Sequence, residues 1–275
     1  MANKSKGCII FAINNGDFEY TRLADVAAGF VKKNLGIPTT IITDKDCNFK
    51  HAEDSIIIDK GSYTNRAMFD GEEYQNIKWF NQSRPDAYDL SPYDKTLLID
   101  ADYFVLEPSL KMLFATNNKF MCYSKVFDPT NRDSFAGSSL ISKYTLPMSW
   151  ATVCYFDRSY AAGSTFYMMK QVRDRYDYYH KLFGVDPQPY RNDYALTIAL
   201  AARGNVGAES LPGEMCMLST DVKIIDYKEG RGLIYTYEKN SKKYVDYIKN
   251  HNVHILGKWS CQDEELLDKL EKYEC

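Results

Sequence analysis

The chain has 275 residues, 45% of them hydrophobic and 26% charged, with a formal net charge of −3. These are ordinary values for a globular protein able to bury a substantial core, which excludes low-complexity and disordered classes. The apolar runs are strand-sized, far below the roughly 18 residues of a membrane span, and the seven cysteines are odd in number with no Cys-x-x-Cys pair, which argues against a zinc site or a disulfide framework.

The first apolar stretch, 7–13, ends too early for a signal-peptide core and reads as a buried strand, so the expected location is cytoplasmic, with no membrane partner. Asn14-Asn15-Gly16-Asp17 is turn chemistry. A helix over 19–34 follows from Leu23, Val26, Ala27, Phe30 and Val31 near a period of 3.6, with Gly36 and Pro38 as its stop. Thr39–Thr43 and Ser55–Asp59 read as strands, an opening that points to an α/β fold with a mainly parallel sheet flanked by helices. Ala67–Trp79 reads as helical, broken at Ser83-Arg84-Pro85, and Lys95–Asp102 as a central strand running into acids. Further helices are expected over Ser164–Leu182, over Asp193–Ala202 with a cap at Asn192 or Asp193, over Ser241–Asn250 and over Asp263–Tyr273. Short strands are expected within 222–237 and at Val253–Leu256. With no repeat or linker, 1–275 reads as one domain: a nucleotide-binding half over 1–110, then an acceptor half and C-terminal tail over 111–275.

Charge is unevenly spread. Residues 111–181 carry 10 Lys and Arg against 5 Asp and Glu, while 1–110 carry 12 against 17. The middle segment is either a face for a polyanion or the solvated side of a helix bearing Lys170, Arg173, Arg175 and Lys181.

Ligands of open parallel sheets bind beyond the carboxyl ends of the strands. Asp44, Asp100 and Asp102 all fall at such ends. Two carboxylates one residue apart at a strand tip can converge on one hard cation, Mn²⁺ or Mg²⁺, which in turn neutralises a diphosphate; the alternative is a solvated turn. His254, before Gly257, Lys258 and Trp259, is either a core residue or a third metal ligand. Tyr190-Arg191-Asn192-Asp193 is either a helix cap or a catalytic element, with Asp193 at the reacting centre, Asn192 beside it and Arg191 on phosphate or acceptor. Trp150 is either core or a stacking surface for a sugar or base.

The hydrophobic-Asp-Ala-Asp strand end, with His254 followed by Gly257, Lys258 and Trp259, resembles glycosyltransferase family 8 and related GT-A enzymes. That resemblance implies Mn²⁺ on Asp100, Asp102 and His254, Gly257 and Lys258 on the donor diphosphate, and Ile13, Asn14, Asn15, Asp44 and Ala101 around the nucleotide, with Asp44 reading the base. It implies a hexosyl- or pentosyltransferase using a nucleotide-sugar, UDP-sugar first, and a tail that closes over the donor. The family's lysine lies further from the glycine and is followed by proline; here Lys258 follows Gly257 directly and the proline is missing. Leu90–Asp100, Met148–Thr152 and Tyr190–Leu196 are also similar to glycosyltransferases of tailed phages, which implies DNA, through a hydroxymethylated pyrimidine, as an acceptor. The competing readings are a haloacid-dehalogenase-type phosphatase with Asp100 as nucleophile, and a non-catalytic nucleotide-sugar binding module.

Overall fold

The computed structural model of the chain describes residues 4–15, 18–135, 140–142, 146–185, 189–205, 207–228 and 230–272. Gly16 and Asp17 of the expected turn, and Tyr273 at the expected end of the last helix, lie outside the described residues.

β1 (Lys4–Ala12) is apolar on both faces, and Cys8 through Ala12 are all buried, as a central parallel strand requires. The expected apolar stripe of α1 (Tyr20–Leu35) is entirely buried. Gly36 ends that helix in the left-handed region, φ 65°, with its N–H on the Lys32 carbonyl at 3.0 Å. β2 (Thr39–Thr43) and β3 (Asp54–Ile57) follow.

The helix expected over 67–79 is instead a hairpin, β4 (Thr64–Phe69) and β5 (Tyr74–Trp79). Asp70-Gly71 makes its turn: Gly71 sits at φ 113°, and the Asp70 carboxylate accepts the N–H groups of Glu72 and Glu73, each at 2.9 Å. After a 3-10 segment, Asn81–Asp86, and α2 (Ala87–Leu90) comes β6 (Tyr93–Asp100), the acid-tipped strand. β7 (Tyr103–Phe104), β8 (Phe120–Tyr123), β9 (Val126–Phe127) and β10 (Trp150–Asp157) lead to the helices. The single helix expected over 164–182 is two, α3 (Tyr160–Asp174) and α4 (Tyr176–Leu182), separated by Arg175 in a non-helical conformation. α5 (Asn192–Ala202) starts where expected, but its cap is Arg191 in extended backbone with no side-chain cap bond. Asn192 and Asp193 lie inside the first turn.

Beyond β11 (Ala208–Ser210), β12 (Met215–Leu218) and β13 (Lys223–Lys228), β14 (Gly232–Lys239) pairs with β15 (Lys242–Ile248), which replaces the helix expected over 241–250. Asn240 and Ser241, at φ 51° and 58°, form the positive-φ turn that matches strand twist. β16 (Val253–Ile255) and α6 (Glu264–Lys272) close the described chain.

Among the described residues, the largest sheet has seven strands in the order β3-β2-β1-β6-β10-β8-β11, with β10 antiparallel to its neighbours and the other pairings parallel. Helices cover both faces. Cys8, Ile10 and Ala12 pack with α1, while Ile9 and Phe11 pack with Phe166 of α3 and Leu196 of α5. The expected α/β architecture, a mainly parallel sheet flanked by helices, is the observed one. A smaller sheet, β7-β16-β12-β9, joins the tip of β6 to the C-terminal segment.

Gly7 sits where β1 passes the Tyr93 ring: a Cβ there would lie 2.3 Å from ring carbons. That ring cannot yield, because it is fully buried and its hydroxyl is hydrogen-bonded to Thr40 at 2.8 Å. Gly7→Ala is expected to cost about 1–3 kcal/mol by overpacking, read as a lower urea midpoint with an unchanged slope. A wild-type midpoint would show that the ring is free to move.

Candidate active site

β6 carries Asp100 beyond its last buried residues, in register with Phe11 of β1. The chain then turns, and β7 pairs antiparallel with β16, setting His254 opposite Tyr103, while the Ile255 N–H donates to the Asp102 carbonyl at 2.9 Å. This short ladder brings His254 beside the two acids, which lie more than 150 residues earlier in the sequence. Its Nε2 lies 3.4 Å from Asp102 Oδ1 and 3.7 Å from Asp100 Oδ2, and its Nδ1 lies 3.4 Å from Thr152 Oγ1. One ligand atom from each of Asp100, Asp102 and His254 lies within 4.8 Å of the others.

Two cations flank the cluster. Lys258 donates to Asp102 Oδ2. Arg84, 1% exposed, donates from one guanidinium nitrogen to Asp100 Oδ1 at 2.6 Å and from another to the carbonyls of Ala151 and of Thr152, the latter at 3.1 Å. Those carbonyls belong to the stretch of β10 where pairing with β8 is irregular, between Trp150 and Cys154, which leaves them available to a side chain. Burial pushes the Asp102 carboxyl up, but Lys258 and His254 outweigh it and hold it well below the usual range. Burial also raises Asp100, and there the effect wins: Arg84 opposes it, while the neighbouring charge of Asp102 adds to it. The two carboxylates are thereby pushed in opposite directions.

The cluster forms one wall of a cavity of about 250 Å³. Of the residues singled out in the sequence, Ile13, Asn15, Asp100, Ala101, Asp102, Trp150, Arg191, Asn192, Asp193, His254 and Lys258 line it together. Asp193 is fixed there by accepting the Ala151 N–H at 2.9 Å and by Arg191 at 3.2 Å. Asn14, Asp44 and Gly257 do not line it. Asp44 accepts the backbone N–H of Asn14 at 2.9 Å and its side-chain amide at 3.0 Å, and pairs with Lys60 at 3.1 Å. Burial would raise its pKa; the Asn14 N–H and Lys60 prevail and lower it. The place of a Gly257 side chain is taken by the Val222 carbonyl, 2.6 Å from where a Cβ would stand, so its close backbone approach is to the protein's own chain.

Sequence reasoning missed Arg84, Arg66, Trp79, Phe80, Tyr20 and Thr152, which also line the cavity. Arg84 read as part of a helix breaker, Trp79 as the last position of a helix over 67–79 rather than of a hairpin, and Arg66 fell just before that helix with no element assigned to it. Of the ten cations of the basic segment 111–181, four pair with acids among the described residues: Lys119 with Asp157, Arg132 with Asp221, Lys170 with Asp86, and Arg173 with Asp86 and Asp174. A second Asp-His-Glu group, Asp25, His51 and Glu271, lies outside the cavity. Asp25 there accepts three backbone N–H groups and Glu271 pairs with Arg22 and Lys50, so these oxygens tie α1 to the 50–52 loop and to α6.

No protein-family model matches the sequence, and no curated protein does. Among solved structures, the chain is similar to the glycosyltransferase GlyE of Streptococcus pneumoniae TIGR4, at 13% identity and TM-score 0.43 over 76% of this chain and 46% of GlyE. It is similar to the galactosyltransferase LgtC, solved with donor and acceptor sugar analogs, at 14% identity and TM-score 0.46 over 74% of this chain and 72% of LgtC. A third is mouse xyloside xylosyltransferase 1, at 8% identity and TM-score 0.45 over 79% and 88%. The chain thus spans about half the length of GlyE.

Proposed function

We propose that the protein is a metal-dependent glycosyltransferase of the GT-A type, moving a hexose or pentose from a nucleoside-diphosphate sugar, UDP-sugar first among them, to an acceptor hydroxyl. One observation carries the reading: two carboxylates at the tip of an inner strand, with an imidazole within 4.8 Å, form the wall of a cavity that also holds cations and aromatic rings.

The donor set fits a divalent ion. Two carboxylate oxygens and one imidazole nitrogen suit Mn²⁺, and Mg²⁺ less well because of the nitrogen. Asp100, Asp102 and His254 would hold the ion through Nε2 of the histidine, with Thr152 orienting the ring through Nδ1. When bound, the ion neutralises diphosphate charge and so stabilises the nucleoside diphosphate as a leaving group. Lys258 supplies a second positive charge at the same place. Asp193, anchored by the Ala151 N–H and Arg191, presents a carboxylate to the sugar or to the acceptor. The acceptor oxygen bonds to the anomeric carbon as the bond from that carbon to the diphosphate breaks, and the hydroxyl proton leaves with the nucleoside diphosphate or to solvent. Lys119, Arg132, Lys170 and Arg173 of the 111–181 segment are engaged by acids of the fold, which withdraws them from any face for a polyanion, and DNA is not preferred here over another hydroxyl compound as acceptor.

A thermal-shift panel of UDP, GDP and CDP with and without Mn²⁺ tests the reading. One of them, UDP by expectation, should stabilise only with the metal present. At a hundred times its Kd, the stabilisation of about 2.7 kcal/mol corresponds to roughly 5–10 °C for a chain of this size. A panel in which no nucleotide moves the melting point overturns it.

A further inference from the structure

Arg66 stands apart from the other cations of the cavity. It reaches in from β4, its guanidinium over the Trp79 ring at 4.7 Å, and among the described residues no carboxylate lies within 4.0 Å of it. Arg84, Lys258 and Arg191 each have an acid partner: Asp100, Asp102 and Asp193. Arg191, on the same cavity, makes its ion pair through one terminal nitrogen, and its buried Nε has no hydrogen-bond partner. Leaving a guanidinium partly buried with no anion is unfavourable unless the site is built to receive one. Burial pushes the Arg66 pKa down and the charge of Arg191 adds to this, while Asp193, the partner of Arg191, opposes it.

The hairpin is braced to hold this arrangement. Gly71 at its turn packs on the Trp259 ring, where a Cβ would stand 2.8 Å from a ring carbon. The Trp259 indole N–H donates to the Thr220 carbonyl at 2.9 Å, and Tyr74 meets the Thr220 hydroxyl at 3.3 Å. Arg66 is therefore preorganised rather than carried on a free loop.

Charge accounting separates this site from the diphosphate. A divalent ion and Lys258, set against Asp100 and Asp102, leave one positive charge; Arg84 adds a second, and the two match a diphosphate esterified at both ends. Arg191 and Asp193 cancel. Arg66 is the charge left over among the described lining residues, and the donor diphosphate does not require it.

We propose that Arg66, with Arg191 beside it, forms an oxyanion subsite that takes a carboxylate or phosphate carried by the transferred sugar or by the acceptor. The proposal rests on reading the cavity as a sugar-transfer site and specifies its substrates as acidic. A planar guanidinium stacked on a ring presents its free edge for bidentate recognition of such groups.

Isothermal titration of the wild type, Arg66→Gln and Arg66→Lys in Mn²⁺ is the test. The ligands are UDP, UDP-glucose and UDP-glucuronate, and then glucose, glucuronate and glucose 6-phosphate added to the UDP complex. The wild type should bind at least one acidic ligand about tenfold or more tighter than its neutral counterpart. Arg66→Gln should bring the two together while UDP changes less than about twofold, and Arg66→Lys should keep part of the preference. A preference among the donors assigns the acid to the transferred sugar; one among the free sugars assigns it to the acceptor. Absence of any preference in the wild type, its survival in Arg66→Gln, or an equal loss for UDP overturns the subsite. If UDP fails to bind the wild type, the transfer reading falls separately, and the acidic and neutral free sugars still judge Arg66 by themselves.

Discussion

Asp102→Asn is expected to reduce Mn²⁺-dependent turnover of the donor sugar by about a thousandfold, the equivalent of losing about 4 kcal/mol of charge stabilisation at the leaving group. Asparagine keeps the shape of the side chain, and the ladder to β16 runs through the Asp102 backbone carbonyl, which the substitution leaves in place. What changes is charge. Of the two acids, Asp102 is the one whose carboxylate Lys258 and His254 favour, so it is the stronger candidate ligand for a divalent ion. Its partner Asp100 is pushed the other way by burial and by Asp102 itself. The loss should therefore appear first as weaker Mn²⁺ binding, measurable by competition with a fluorescent chelator, and then as slower donor hydrolysis. Hydrolysis at the wild-type rate by a folded Asp102→Asn protein would remove the metal centre from the account.

The scaffold of this site was legible in the sequence, because burial writes itself as pattern. β1 and β6 each hold an apolar run, β2 is a short β-branched one, and α1 shows its buried stripe and its Gly36 stop. Asp100, Asp102 and His254 were visible because each ends or interrupts such a run. The hairpin was not legible: within β4 and β5 only Ile77 is buried, so neither strand carries the alternating apolar face that a core imposes. The usable signal was Asp70-Gly71, a turn pair between two short segments rich in aromatic and amide residues. β15 failed for the same reason, its first six residues being exposed, and its signal was the Asn240-Ser241 turn. Arg84 left no trace at all. An arginine before a proline reads as a surface breaker, and only the meeting of the 3-10 segment, β6 and β10 in space turns it into a buried charge. Asp44 was visible at its strand end by the same logic, and the structure places it off the cavity, where it accepts from Asn14 and pairs with Lys60.

Arg84→Met is expected to be the costliest substitution in the site for stability, about 3–5 kcal/mol, or a melting point lower by roughly 6–20 °C. Methionine approximates the volume of the aliphatic stem, so the loss is electrostatic. It strands the Asp100 carboxylate, already disfavoured by burial, and leaves the Ala151 and Thr152 carbonyls without their donor. Two measurements separate this from simple loss of packing. Adding Asp100→Asn should recover part of the stability, since the uncompensated charge goes with it, whereas a packing defect would be additive or worse. Mn²⁺ should also raise the melting point of Arg84→Met more than that of the wild type, because a cation on Asp100 then supplies the charge the arginine supplied. Equal shifts in both proteins would mean that Asp100 is held by Arg84 for structural reasons alone and that the ion, if it binds, rests on Asp102 and His254 without it.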